Sequence, residues 1–145
     1  MSEQAKQTVP QMRFRGFDDD WKPKSLAEIA SLTSSKRVYL SDYVPSGIPF
    51  YRGKEISELR QGIKPTDILY ISDEAYQSFK NRYGAPKQDD ILITAVGTLG
   101  NTYRVANDTP FYFKDGNLIW LRDVTACARF LDTYFQYKKL SLIHI

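Results

Sequence analysis

The segment from Asp89 to Val105, DDILITAVGTLGNTYRV, constrains the fold of this chain most strongly. It begins with two aspartates that favour a turn, continues in an apolar run typical of a buried strand, and ends in a run with polar and basic side chains. Gly97 and Gly100 lie between the two runs, where tight backbone turns are expected. The segment therefore predicts two successive strands, Ile91–Ala95 and Thr102–Val105.

Three other segments carry helical patterns. Ser25 is a favourable N-cap with Glu28 three residues later, and it precedes a short apolar face. That face consists of Leu26, Ile29, Ala30 and Leu32. Ser72 begins a longer helix that ends at Gly84, shortly before a proline. A last helix is predicted from about Thr125, and it carries Phe130, Leu131, Tyr134 and Tyr137.

Short apolar runs between turn signals predict the remaining strands. They are Val38–Leu40, Ile48–Arg52, Asp67–Ile71, Phe111–Phe113 and residues 117–122, and the last two are expected to pair as a hairpin across the turn at Lys114–Asn117. The segment GKEISELRQGIKP is compatible with a helical turn or with an extended loop. The predicted fold class is α+β: a single mixed domain with several short strands in a curved sheet flanked by helices.

Length, charge and cysteine content place the chain in a broad class. Its 145 residues suffice for one domain, and its net charge of +3 is mildly basic. Cys127 is the single cysteine, which excludes an intrachain disulfide and favours a cytoplasmic protein; we expect this thiol to be packed in the last helix. No apolar run reaches the length that crosses a bilayer, so no membrane partner is expected.

The residues needed for common catalytic chemistry are missing. His144 is the only histidine, which excludes a histidine-based triad, a Cys–His pair and a conventional zinc site. The glycines at 97 and 100 are not followed by the lysine of a nucleotide-binding loop. The sequence therefore predicts no catalytic residues, no metal site and no cofactor.

A metal-dependent nuclease is the enzyme class hardest to exclude, because it needs only clustered carboxylates and a lysine. Asp20-Trp21-Lys22 matches part of such a site. The aspartates at 18–20 precede every predicted strand of the sheet, however, and we interpret them as a solvated acidic turn.

Basic residues are concentrated between Thr33 and Lys64. This segment contains Lys36, Arg37, Arg52, Lys54, Arg60 and Lys64, against Asp42, Glu55 and Glu58. A local basic surface attracts phosphate and makes binding to nucleic acid weaken as salt rises.

Several segments together resemble a target recognition domain from the specificity (S) subunit of a type I restriction–modification system. PQMRFRGFDDDW followed by SLAEI resembles the beginning of many such subunits, and IPFYRGKEIS resembles their I-P-x-x-R-x-x-D/E-I strand and loop. DDILITAVGTLG resembles their G-D-I-L-x-x-x-x-G-T-x-G signature, with Asp89 where glycine is usual. NLIWLR and the final aromatic helix also fit, so that the resemblance covers about residues 10–140.

The resemblance implies a non-catalytic DNA-recognition subunit. S subunits read a split sequence in double-stranded DNA with two such domains, dock the methyltransferase (M) subunits, and form a complex with an endonuclease (R) subunit. A single domain is expected to contact one half-site. The alternative is a protein-interaction remnant that pairs with an intact specificity subunit.

The candidate DNA-binding residues fall into two groups, chosen because arginine suits guanine, and asparagine suits adenine, at base edges. The first group is Lys36, Arg37, Tyr39, Tyr51, Arg52 and Lys54, and the second is Thr98, Asn101, Tyr103 and Arg104. Residues 1–9 are expected to form a flexible leader. Residues 141–145 are expected to be the truncated start of a spacer helix or a tail.

Overall fold

The computed structural model describes residues 12, 14–16, 18–97 and 99–138. The predicted leader and tail lie outside these residues. The described helices are α1 Leu26–Ile29, α2 Gly53–Arg60, α3 Asp73–Tyr83 and α4 Ala128–Tyr137, with a 3₁₀ turn at Leu40–Asp42. The strands are β1 Ser31–Thr33, β2 Tyr43–Val44, β3 Ile48–Tyr51, β4 Leu69–Ile71, β5 Ile91–Thr94, β6 Thr102–Arg104, β7 Tyr112–Phe113 and β8 Leu118–Arg122.

These strands form two four-stranded sheets. The first has the order β1-β8-β5-β6 and is antiparallel throughout. The second has the order β2-β4-β3-β7, in which β7 lies parallel to β3. The α+β class is therefore confirmed, with the strands divided between two sheets where the sequence suggested one.

Three apolar clusters hold the layers together. One joins α1 and α4 to the outer face of the first sheet, through residues such as Ile91, Leu121 and Leu131. A second joins the other face of that sheet to α2, and Ile56 and Trp120 belong to it. The third packs α3 against the second sheet. As a result, α2 and α4 lie on opposite faces of the first sheet.

Two predicted helix starts are confirmed by their caps. The Glu28 carboxylate accepts hydrogen bonds from the backbone N–H and hydroxyl of Ser25, at 2.6 and 2.8 Å. Ser72 Oγ accepts from the backbone N–H of Ala75 at 3.2 Å, at the start of α3. These contacts satisfy N–H groups that a helix leaves unpaired at its first turn.

Other local predictions were wrong. The first helix ends at Ile29, and Leu32 lies in β1, where pairing with Leu121 of β8 outweighs the helical pattern. Residues 38–40 do not form a strand, because the chain turns into the 3₁₀ segment at Leu40–Asp42, whose Asp42 carboxylate accepts from the backbone N–H of Tyr39 at 2.9 Å. Cys127 is exposed at the N-cap of α4, since that helix begins later than expected.

The predicted hairpin between β7 and β8 is also wrong. The turn at residues 114–117 exists, but it carries the chain from the second sheet to the first. The two side chains of β7 point into different clusters: Tyr112 packs with α3, and Phe113 packs edge-on against Trp120 at 5.6 Å. Burial on both faces explains why β7 pairs with β3 between the layers.

Candidate nucleic-acid interface

An open cleft of about 460 Å³ lies between α2 and the loop that follows β5. Its floor includes Thr94, which is buried, while Lys54, Gln61 and Val96 at its edges are exposed. The lining residues are Arg52, Gly53, Lys54, Ser57, Glu58, Gln61, Thr94, Val96, Gly97 and Asn117. The cleft therefore opens at the surface, and most of its lining residues have polar or charged side chains.

One face of α2 forms a wall of this cleft. Lys54, Ser57, Glu58 and Gln61 follow one another at the spacing that aligns side chains along a helix. The opposite face is buried, because Ile56 has no exposed surface and packs in the cluster shared with the first sheet. Of these four residues, the sequence predicted only Lys54 as a candidate. The spacing of all four within segment 53–65 nevertheless indicates a helix with one polar face.

Arg52 and Glu55 form a bracket at the start of α2. Arg52 Nη2 lies 2.6 Å from Glu55 Oε1, its Nε donates to Oε2 at 3.2 Å, and its backbone N–H donates to Oε2 at 2.8 Å. Burial raises the pKa of Glu55, but these hydrogen bonds outweigh it and hold the pKa below its usual range. The side-chain hydrogen bonds that Arg52 donates to Glu55 also raise the pKa of Arg52. The Arg52 side chain is 33% exposed, and its guanidinium is already bound to the buried carboxylate of Glu55.

Three cations of the first predicted group are exposed and only weakly held. Arg37 is 69% exposed, with its Nε 3.4 Å from Asp115, and Lys54 is 60% exposed, with its Nζ 3.9 Å from Glu58. The Lys36 ammonium lies 4.7 Å from the centre of the Tyr83 ring. We call Lys36, Arg37 and Lys54 the basic rim.

The turn at residues 114–117 connects the two parts of this rim. The Arg37–Asp115 contact holds its outer side, and the backbone N–H of Lys114 donates to the carbonyl of Tyr51 at 2.9 Å. Asn117 at its other end lines the cleft, and its carbonyl accepts from the N–H of Ala95 at 2.8 Å. The turn therefore contacts Arg37 of the rim through Asp115 and lines the cleft through Asn117.

Asn101 and Arg104 of the second predicted group form hydrogen bonds or ion pairs within the protein. Asn101 is buried; its Oδ1 accepts from Arg60 Nη1 at 2.7 Å and its Nδ2 donates to Ser57 Oγ at 3.1 Å. Arg104 Nη1 lies 2.7 Å from Asp89 Oδ1. Thr98 lies outside the described residues.

The glycines of this hairpin loop follow their predicted role. Gly97 and Gly100 adopt positive φ angles of 77° and 75°, which residues other than glycine rarely adopt. The loop thereby turns tightly enough for β6 to pair with β5 and for Asn101 to reach α2.

The predicted tyrosines lie in two different places. Tyr51 and Tyr103 are half-buried beside a smaller cavity of about 200 Å³, and the Tyr51 ring lies 5.2 Å from that of Phe111. Burial raises the pKa of Tyr51. Tyr39 is exposed at the start of the 3₁₀ turn, before the aspartate that accepts its N–H.

The described residues contain neither a cluster of metal-ligating side chains nor a membrane-spanning helix. No group of three or more His, Cys, Asp or Glu side chains within them could hold a metal ion. None of the described helices is long and apolar enough to cross a membrane.

Comparison with known proteins identifies relatives of one kind. The chain is 35% identical, over 106 residues, to a type I restriction enzyme specificity subunit of Haemophilus influenzae. That alignment covers 72% of this chain and 26% of the Haemophilus protein. No family model matches the chain.

Solved structures agree with this relationship at the level of the fold. The HsdS subunit from Thermoanaerobacter tengcongensis superposes with a TM-score of 0.63 at 20% identity, over 96% of this chain and 32% of that one. A structure described as showing complex assembly and conformational transition of the type I R-M system gives 0.61 at 22% identity, over 89% and 31%. The chain thus spans about a quarter to a third of the length of the proteins that it matches.

Proposed function

We propose that this chain, which has the sequence and fold of a target recognition domain from a type I restriction–modification specificity subunit, recognises a specific sequence in double-stranded DNA. The observation that carries the proposal is the 35% identity over 106 residues to a specificity subunit, accompanied by the fold of solved specificity subunits. In this function the domain reads one half of a split target.

The basic rim supports the proposal through its charge and exposure. Phosphates provide much of the affinity of DNA-binding proteins, and lysine or arginine side chains that neutralise them must reach the solvent. Arg37 and Lys54 meet this condition, since most of each side chain is exposed and each ion pair is long. Exposed ion pairs of this kind contribute little to stability, so they can be exchanged for phosphate contacts at small cost.

The bond-making steps belong to other subunits in this proposal. The chain positions a complex containing methyltransferase and endonuclease subunits, and its own residues hold the DNA. The specificity subunit as a whole, with a second recognition domain, provides the docking surfaces for those partners.

Binding of labelled duplex DNA at increasing salt concentration tests the proposal. We expect the logarithm of the wild-type association constant to fall linearly with the logarithm of the salt concentration. The triple substitution K36A/R37A/K54A should reduce that slope by about 0.9 for each phosphate contact that is lost.

Arg129→Ala is the matched control, because Arg129 is exposed on α4, across the first sheet from α2. This variant should retain the wild-type slope. If the wild-type protein binds no duplex at low salt, the proposed function is excluded. If the triple variant and the wild type have equal slopes, the basic rim does not contact the phosphates.

A further inference from the structure

Two side-chain amides in the cleft have unused hydrogen-bonding capacity. Gln61 is the C-cap of α2, and its backbone N–H donates to the carbonyls of Ser57 and Glu58. Asn117 is fixed by its backbone carbonyl, which accepts from Ala95. Neither side-chain amide forms a hydrogen bond with another described residue, yet both line the cleft.

The amide of Asn101, in the same region, has a structural role instead. The side chain of Asn101 is buried and contacts Arg60 through its oxygen and Ser57 through its nitrogen. Its hydrogen-bonding groups stabilise the approach of α2 to the β5–β6 hairpin. The contrast indicates that the amides of Gln61 and Asn117 are available for an external partner.

The chemistry of such a partner follows from the geometry of an amide. A side-chain amide offers a donor and an acceptor side by side, and the major-groove edge of adenine offers the complementary pair at N6 and N7. Phosphate oxygens only accept, so they would use only the amide N–H₂. The positive charges that line the cleft are already paired within the protein, because Arg52 binds Glu55 and Lys54 faces Glu58.

We infer that Gln61 and Asn117 read adenine from the two walls of the cleft, while the basic rim holds the flanking phosphates. This inference rests on the proposed DNA-binding function and divides it into two parts. The cleft provides sequence discrimination, and the rim provides most of the affinity. Neither residue belongs to the two groups that the sequence suggested.

A pool of duplexes with a randomised central block tests the inference. Wild-type protein should enrich a motif that contains adenine, and Gln61→Ala or Asn117→Ala should lose the preference for adenine at one position each. On the wild-type motif each variant should bind about 5- to 150-fold more weakly, which is the range for one good bidentate contact. Affinity for random-sequence DNA and its salt dependence should remain unchanged.

Replacing adenine by 7-deazaadenine identifies the contact at the level of one atom. This base lacks the N7 acceptor, so it should weaken binding by the wild type. It should cause no further loss in the variant whose missing amide contacts that position. Equal losses in the wild type and in both variants would overturn the inference.

Gln77→Ala is the matched control, since Gln77 is an exposed glutamine of α3 outside the cleft. It should enrich the wild-type motif. If both cleft variants also enrich the wild-type motif at full strength, the inference fails and the DNA-binding function stands. A wild-type protein that binds DNA but enriches no motif would overturn both the inference and sequence-specific recognition.

Discussion

The basic rim and the inner contacts of α2 contain the same kinds of residue in opposite situations. Lys54 and Arg37 are exposed and hold long ion pairs, whereas Arg52 closes on the buried carboxylate of Glu55 at 2.6 Å. The side-chain amide of Asn101 likewise forms its hydrogen bonds within the protein. Residue type therefore identifies candidate DNA-binding residues, but their hydrogen-bond partners within the protein decide which of them are available to bind DNA.

The largest effect is expected on the inner side, from Arg52→Ala. This substitution leaves the fully buried Glu55 without its guanidinium partner. Breaking such a pair costs about 2–4 kcal/mol once the partial exposure of Arg52 is taken into account. Urea unfolding should show this loss, and Lys54→Ala, two residues away, should show almost none. Equal stability of the two variants would contradict the distinction between the buried Arg52–Glu55 pair and the exposed basic rim.

Asn101→Ala should have the next largest effect. It removes the buried amide that accepts a hydrogen bond from Arg60 and donates one to Ser57, which costs about 1–3 kcal/mol. The matched substitution Asn117→Ala removes an amide with no partner among the described residues, so thermal unfolding should be nearly unchanged. A larger loss for Asn117→Ala than for Asn101→Ala would contradict the division proposed between the two amides.

DNA binding provides a smaller but sharper comparison between two arginines. Arg37→Ala should lower the salt dependence of the association constant by about 0.9, because one phosphate contact is lost. Arg104→Ala should leave it unchanged, since the Arg104 guanidinium is committed to Asp89 at 2.7 Å. Filter binding or fluorescence anisotropy at several salt concentrations measures both slopes. If Arg104→Ala lowers the salt dependence of the association constant more than Arg37→Ala does, the phosphate contacts lie on the β5–β6 hairpin instead.

The smallest effect concerns the pH dependence of stability, and two buried carboxyls should act in opposite directions. The pKa of Glu55 is lowered by Arg52, so its contribution is present above the ordinary glutamate pKa of about 4.3 and is lost as the pH falls through the lower folded value. Burial raises the pKa of Asp90, despite hydrogen bonds from Trp120 and Lys87, so its contribution decreases as the pH rises from about 3.9 to the raised value.

Urea unfolding between acidic and neutral pH separates these two groups. Glu55→Gln should flatten the loss of stability on acidification, and Asp90→Asn should steepen it. The same change of slope in both variants would show that the two environments do not differ as described.

Local structure was largely predictable, because its signals lie within a few residues of one another. The cap at Ser72 and the glycine after α3 fixed that helix, and the apolar run at Ile91–Thr94 identified a buried strand. The pairing of strands was less accessible. Nothing in the two residues of β7 shows that Tyr112 and Phe113 pack in different clusters, so the adjacent turn suggested a hairpin.

The candidate site could be predicted only in part for a similar reason. Sequence identified the basic segment and the exposed Lys36, Arg37 and Lys54, because charge is a property of the residue itself. It could not show that Asn101 would be buried against α2 or that Asn117 would line the same cleft as the polar face of α2, since these arrangements join distant segments.

The pairing of β1 with β8 and of β3 with β7 has a consequence for how the protein is made. Thr33 lies opposite Trp120, and Phe50 lies opposite Tyr112, so both sheets join early and late parts of the polypeptide. Such non-local pairing slows folding, because a long loop must close before any contact compensates for it. A chain emerging from the ribosome cannot complete either sheet until β7 and β8 have been synthesised. We therefore expect the domain to acquire protease resistance in one late step rather than segment by segment.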